Sequence, residues 1–122
     1  MSQFITFSSA QTNANFNDVQ DIEPKDLWEH RSQVTIIDVR RPDERQSGFI
    51  PGSVNIILDT LPDSMDQIPK DQTLVFVCAM GGRSSRAATW ALSEGFKSVY
   101  NLKGGMKTWQ QLNMESTKEP VK

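Results

Sequence analysis

Two stretches, 34–39 (Val-Thr-Ile-Ile-Asp-Val) and 73–77 (Thr-Leu-Val-Phe-Val), are apolar or β-branched at nearly every position. A strand with one wet face would alternate; these do not, so both of their faces must be covered. Helices on either side of a parallel sheet provide that cover, because a parallel crossover is long enough to hold a helix. The remaining sequence supplies such segments. Pro24, Leu27 and Trp28 predict a short helix, 42–46 a helical turn, and 61–68 a short helix ended by Pro69. Over 84–94, Ala87, Ala88, Ala91 and Leu92 recur at helical spacing, with Gly95 placed as a left-handed stop. A closing helix is predicted over 106–112, and weaker strands over 53–57 and 98–102. Strand and helix alternate throughout, which predicts an α/β domain with a mainly parallel sheet.

The 122 residues suffice for one core and are too few for two. The domain is expected to span 19–114. Residues 1–18, rich in Ser, Gln and Asn and without periodicity, read as a loosely ordered arm, and 115–122 as a polar tail that frays. A formal net charge of -2 offers no basic field for a nucleic-acid backbone or an anionic membrane. The start shows no cationic leader, and no apolar stretch approaches the roughly 20 residues that cross a bilayer. A cytoplasmic protein without nucleic-acid or membrane partners is expected. The chain has one cysteine, which excludes an internal disulfide, a C-x-x-C redox pair and a multi-thiolate metal site. Its one histidine, His30, reads as a surface residue. Neither a metal nor an organic cofactor is expected. Trp90 and Trp109 are core candidates.

The informative segment is Cys78-Ala79-Met80-Gly81-Gly82-Arg83-Ser84, between the most apolar strand and the most regular helix. Open α/β sheets bind ligands at this end of their strands. Amides at a helix N-terminus lack intrahelical acceptors and carry the positive end of the helix dipole, so an anion is stabilised there. A thiolate is such an anion, and the same environment lowers a cysteine pKa from its usual value of about 8.5. Gly81 and Gly82 allow the positive φ values that turn amides inward, and Ser84 is placed to cap the helix. A lone cysteine after an apolar strand is otherwise most often a small buried residue. Here the glycines, the arginine, the serine and the helix all fall within the same seven residues.

Four stretches carry a wider resemblance. They are Ile37-Asp38-Val39-Arg40 followed by Pro42 and Glu44; Gly48-Phe49-Ile50-Pro51-Gly52-Ser53-Val54-Asn55-Ile56; the loop from Cys78 to Ser84; and Asn101-Leu102-Lys103-Gly104-Gly105-Met106 with Trp109. In that order and spacing the chain resembles a single-domain rhodanese. The resemblance implies a three-layer fold, with a mainly parallel five-stranded sheet and helices on both faces. It also implies sulfur transfer through a persulfide on Cys78, with residues Ala79, Met80, Gly81, Gly82, Arg83 and Ser84 forming the substrate-binding loop. Asp38, Arg40 and Glu44 resemble the family's ion-pair cluster and are expected to hold that loop. Arg83 has two readings: it binds the donor's oxyanion, or it pairs with a carboxylate. The implied partners are a small-molecule sulfur donor such as thiosulfate and an acceptor that is cyanide, a small thiol or a protein thiol. Two departures stand out. Phe49 occupies a position where the family usually has His, and Ala79 and Met80 stand where relatives that prefer thiosulfate often carry a cation.

Two other readings come from different classes. A rhodanese-like fold persists as a binding module in chains that lost the cysteine; Cys78 argues against that here. A cysteine phosphatase or arsenate reductase resembles this arrangement but uses five residues between Cys and Arg, whereas here there are four, 79–82.

Overall fold

The computed structural model describes residues 19–118. The expected arm, 1–18, and the last residues of the expected tail, 119–122, lie outside the described residues. The chain runs β1 (Gln20–Ile22), α1 (Pro24–Glu29), β2 (Thr35–Asp38), α2 (Pro42–Arg45), β3 (Val54–Asn55), α3 (Leu61–Ser64), β4 (Thr73–Val77), α4 (Gly82–Ser93), β5 (Ser98–Leu102) and α5 (Gly105–Gln111). The sheet order is β1-β5-β4-β2-β3, and every pairing is parallel. The α/β architecture is therefore as the two uninterrupted apolar stretches require.

Central strand β4 is buried at all five positions. Because successive side chains point to opposite faces, it divides between two cores. Leu74 and Phe76 join Ile37, Val39, Leu61, Met65 and the Ala87-Ala88-Ala91 stripe, so α3 and α4 cover one face. Val75 and Val77 join Ile22, Leu27, Tyr100, Leu102, Met106 and Trp109, so α1 and α5 cover the other. Each large apolar side chain sealed this way contributes about 1.5–3 kcal/mol. Trp109 is fully buried, with the Trp28 ring edge-on at 6.1 Å. No helix among the described residues is long and apolar enough to cross a membrane.

Several elements differ from the sequence expectation. β1 carries no strand signal: it is three residues at a sheet edge with Ile22 alone buried. The strand expected over 53–57 pairs only at Val54 and Asn55, after which Ile56 and Leu58 leave the edge to pack on the α4 face. The helix expected over 61–68 is one α-turn followed by a 3-10 turn, Met65–Gln67, since Ser64 and Asp66 are weak helix formers and only Leu61 and Met65 are buried. α4 begins at Gly82, two residues before the expected start, while Gly95 at φ 103° ends it as expected. The chain after Asn113 is tied down rather than frayed through Thr117. Phe49 and Thr117 exchange backbone hydrogen bonds of 2.8 and 2.9 Å, and the Trp109 indole donates to the Glu115 carbonyl at 2.8 Å. A buried indole N–H needs an acceptor, and this segment supplies it. Phe49 is itself buried, its ring lying 3.8 Å from the Arg45 guanidinium.

Candidate active site

Cys78 leaves the end of β4 with 1 % of its surface exposed. Its backbone is stitched to the start of α5: the Cys78 carbonyl accepts from the Met106 N–H at 2.8 Å, and the Ala79 carbonyl from the Lys107 N–H at 2.9 Å. This approach requires glycine at 105. A Cβ there would lie 2.6 Å from the Ala79 oxygen and 2.7 Å from the Cys78 oxygen, and the φ of 63° is itself left-handed. The Gly104-Gly105 pair, distant in sequence, is thus part of the site.

Within the loop, Gly81 adopts φ 110° and donates its N–H to Cys78 Sγ at 3.0 Å. Gly82 does not take the positive φ expected of it. It is the first residue of α4, and one left-handed residue is enough to turn the chain. Because the helix starts there, Ser84 lies inside its first turn instead of capping it. The Ser84 hydroxyl reaches inward, to Sγ at 3.2 Å and to Asn101 Oδ1. Burial pushes the Cys78 thiol up. The Ser84 hydroxyl and the backbone N–H groups of Ser84, Gly81 and Met80 outweigh that and hold it below its ordinary value. A thiol held this way ionises more readily than an ordinary cysteine.

The charged residues expected to form one cluster form two. Asp38 is buried and accepts from Arg40 Nε at 2.9 Å and Nη2 at 2.8 Å, and from Arg45 Nη1 at 3.2 Å. Arg40 further donates to the Gly48 carbonyl, which ties the end of β2 to the turn before β3. Glu44 belongs to the second cluster, accepting from both Arg83 nitrogens at 2.8 and 2.7 Å. Arg83 therefore takes the carboxylate-paired orientation of its two readings. A cleft of about 570 Å³ opens beside the loop, lined by Arg40, Glu44, Ala79, Met80, Met106 and Lys107 among others. That volume suits a small molecule or an extended peptide end. Met80, 66 % exposed, forms part of its rim. No group of His, Cys, Asp and Glu among the described residues is arranged to hold a metal ion.

A family model, the rhodanese-like domain, matches residues 23–112. The chain belongs to the rhodanese-like family. Among its relatives, a sulfurtransferase of Allochromatium vinosum is 36% identical over 76 residues, covering 62% of this chain and 71% of the relative. The thiosulfate sulfurtransferase GlpE of Pseudomonas syringae pv. syringae is 32% identical over 97 residues, 79% of this chain and 92% of the relative. The crystal structure of a rhodanese-related protein from Thermoplasma volcanium superposes with a TM-score of 0.76 at 29% identity, covering 82% of this chain and 99% of that one.

This rhodanese-like domain also uses residues that sequence reasoning left out. Arg45 completes the Asp38 cluster, and Asn101 meets Ser84 behind the sulfur. Arg45 carried no spacing signal, since adjacent helical residues such as Glu44 and Arg45 do not face the same way, and only the packing of α2 against the end of β2 brings it to Asp38. Asn101 stood in a matched stretch, but only the adjacency of β4 and β5 brings it to the site. The Glu44–Arg83 pair has a testable pH signature. Hydrogen bonds from Arg83 lower the Glu44 carboxyl from 4.5 to about 2; burial opposes them, and the Arg41 N–H and the charges of Arg83 and Arg41 assist. A depressed carboxylate contributes stability that is complete above its unfolded value and lost as pH falls through its folded one. The unfolding free energy of the wild type should exceed that of Glu44→Gln above pH 4.5, and the gap should close as pH falls to about 2. Urea titrations of both proteins across that window measure it. A gap of equal size at both ends would show that the pair adds nothing.

Proposed function

We propose that the protein is a sulfurtransferase that moves sulfane sulfur from a donor such as thiosulfate to a thiophilic acceptor through a persulfide on Cys78. One observation carries this reading: the sole cysteine accepts hydrogen bonds from the Gly81 N–H at 3.0 Å and the Ser84 hydroxyl at 3.2 Å, which hold its thiol below the ordinary pKa, beside an open cleft. In the first half-reaction the thiolate attacks the outer sulfur of thiosulfate. A new S–S bond forms to Sγ, the donor's S–S bond breaks, and sulfite departs with the electron pair. In the second, the acceptor attacks the outer sulfur, and the Sγ–S bond breaks to restore the thiolate. With cyanide the product is thiocyanate; with a small thiol or protein thiol it is the acceptor's persulfide. Kinetics should be ping-pong.

Loop amides from Ala79 to Ser84 would steady the charge as it moves to the outer sulfur, in the manner of an oxyanion hole. Arg83 is engaged by Glu44, so its part in this reading is to brace the loop. Arg40, paired with Asp38, and Lys107 supply positive charge to the cleft that an anionic donor has to enter. A lone thiol nucleophile suits a reducing compartment, and the reading includes a cytoplasmic setting. The four-residue spacing between Cys78 and Arg83 favours sulfur over a phosphoryl group, which needs a wider ring of amides.

The test is intact-protein mass spectrometry after mixing with thiosulfate. The expected result is a gain of one sulfur atom that persists until cyanide or a thiol is added, since no second cysteine can resolve it. Failure to take up sulfur from thiosulfate or from any persulfide donor, together with hydrolysis of an aryl phosphate, would overturn the reading.

A further inference from the structure

Behind Cys78 the Ser84 hydroxyl continues into a hydrogen-bond chain whose far members, Asn101 and Asp21, the reaction above does not use. Ser84 Oγ reaches two acceptors, Cys78 Sγ at 3.2 Å and Asn101 Oδ1, yet a hydroxyl carries one proton. Cys78, Ser84 and Asn101 are buried, which leaves no room for water between the Ser84 hydroxyl and its two acceptors, while Asp21 at the outer end of the chain is exposed. The Asn101 amide is oriented from outside. Its Nδ2 donates to Asp21 Oδ1 at 3.1 Å, and the two residues face each other in the parallel register of β1 and β5. A carboxylate only accepts hydrogen bonds, so the NH2 group must face Asp21 and the carbonyl must face Ser84.

We propose that Asp21 is a positioning residue for the Cys78 reaction: by turning the Asn101 carbonyl onto Ser84, it gives the Ser84 proton a second acceptor and biases Cys78 toward its sulfur-loaded state. This rests on the sulfurtransferase reading. In the free thiolate, the Ser84 proton goes to Sγ, and the buried Asn101 carbonyl loses its donor. A buried acceptor left without a donor is costly. Attack on the donor forms the Sγ–S bond and moves the negative charge to the outer sulfur, while sulfite leaves with the electron pair. Sγ is then a neutral, weak acceptor, and the Ser84 proton turns to Asn101. That proton stays on Oγ throughout; only its acceptor changes. Loading therefore restores the hydrogen bond that the thiolate had broken.

Without Asp21, the Asn101 amide is free to turn and donate to Ser84 Oγ, which reinforces the serine's donation to the thiolate. Asp21→Ala should then alkylate with a midpoint about one pH unit lower than the wild type, and its equilibrium uptake of sulfur at a fixed thiosulfate-to-sulfite ratio should be about tenfold weaker. Asp21→Glu keeps an acceptor-only group at this position and should stay near the wild type, whereas Asp21→Asn can donate as well as accept, no longer fixes the Asn101 amide, and should shift toward Asp21→Ala. The other charged groups around the site are common to all variants: Arg83 on α4, Asp38 and Arg40 at the end of β2, Glu44 and Arg45 on α2, Lys107 on α5, and the Glu23–Lys103 pair beside β1. Asn101→Ala removes the competing acceptor and should lower the midpoint too. Adding Asp21→Ala to it should give no further change.

The experiment is the pH dependence of iodoacetamide alkylation for these variants, with mass-spectrometric sulfur uptake from thiosulfate as the second readout. Two outcomes overturn the proposal: an Asp21→Ala midpoint equal to the wild type, or a further shift when Asp21→Ala is added to Asn101→Ala, which would make the effect one of charge alone. Alkylation needs no sulfur transfer, so a wild type that fails to load sulfur sinks the function and leaves the midpoints to judge Asp21.

Discussion

Replacing Cys78 by serine should abolish sulfur uptake and lower kcat/KM on the order of 10³-fold or more, the scale on which nucleophile deletions act. Serine is nearly isosteric, and its hydroxyl would accept the hydrogen bonds that the Gly81 N–H and Ser84 hydroxyl now direct at Sγ. The fold should tolerate it, with a stability change within about 1 kcal/mol. A hydroxyl cannot form the S–S bond that stores the sulfane sulfur, so chemistry is lost while the structure remains. Thiocyanate formation from thiosulfate and cyanide, paired with urea unfolding of both proteins, separates the two effects. Turnover retained in Cys78→Ser would falsify the nucleophile assignment, because the chain has no other cysteine.

Asp38→Ala should be the most destabilising of the substitutions considered, by about 3–5 kcal/mol, since it strands two buried guanidinium groups. Arg40 and Arg45 retain 3% and 8% of their exposure, too little for water to replace the lost carboxylate. Natural domains are stable by only about 5–15 kcal/mol, so a fifth or more of the total is at stake. The denaturation midpoint should fall with an unchanged slope. The loop should feel the loss as well, because the Val39 N–H next to Asp38 donates to the Val77 carbonyl immediately before Cys78. Asp38→Asn keeps one acceptor and should fall between. A loss under about 1 kcal/mol in Asp38→Ala would mean that the guanidinium groups find solvent by local opening.

How far the sequence could be read differs between elements for physical reasons. β4 and the body of α4 were legible because burial on both faces and a one-sided alanine stripe each impose a pattern on consecutive residues. β1 was not, because an edge strand of three residues buries one side chain and imposes almost none. Gly81 and Gly82 look alike in sequence, yet only Gly81 takes a positive φ. The tail was read as frayed because its polar composition conceals backbone pairing with Phe49, which needs no particular side chain.

The site divides along the same line. Cys78, the loop after it and the helix that follows are contiguous, so the sequence by itself determined that a thiol would stand at a strand end among helix-terminal amides. It also determined that Asp38, Arg40, Glu44 and Arg83 would be available as charges near that end of the sheet. Only the tertiary structure decided how they pair, with Arg83 going to Glu44 and Arg45 joining Asp38. It alone brought Gly105 against the loop carbonyls and placed Asn101 and Asp21 behind Ser84, across a separation of 80 residues between those two. Local patterns record what each element must bury, while partners across the sheet are set by strand order, which leaves no periodic trace in the chain.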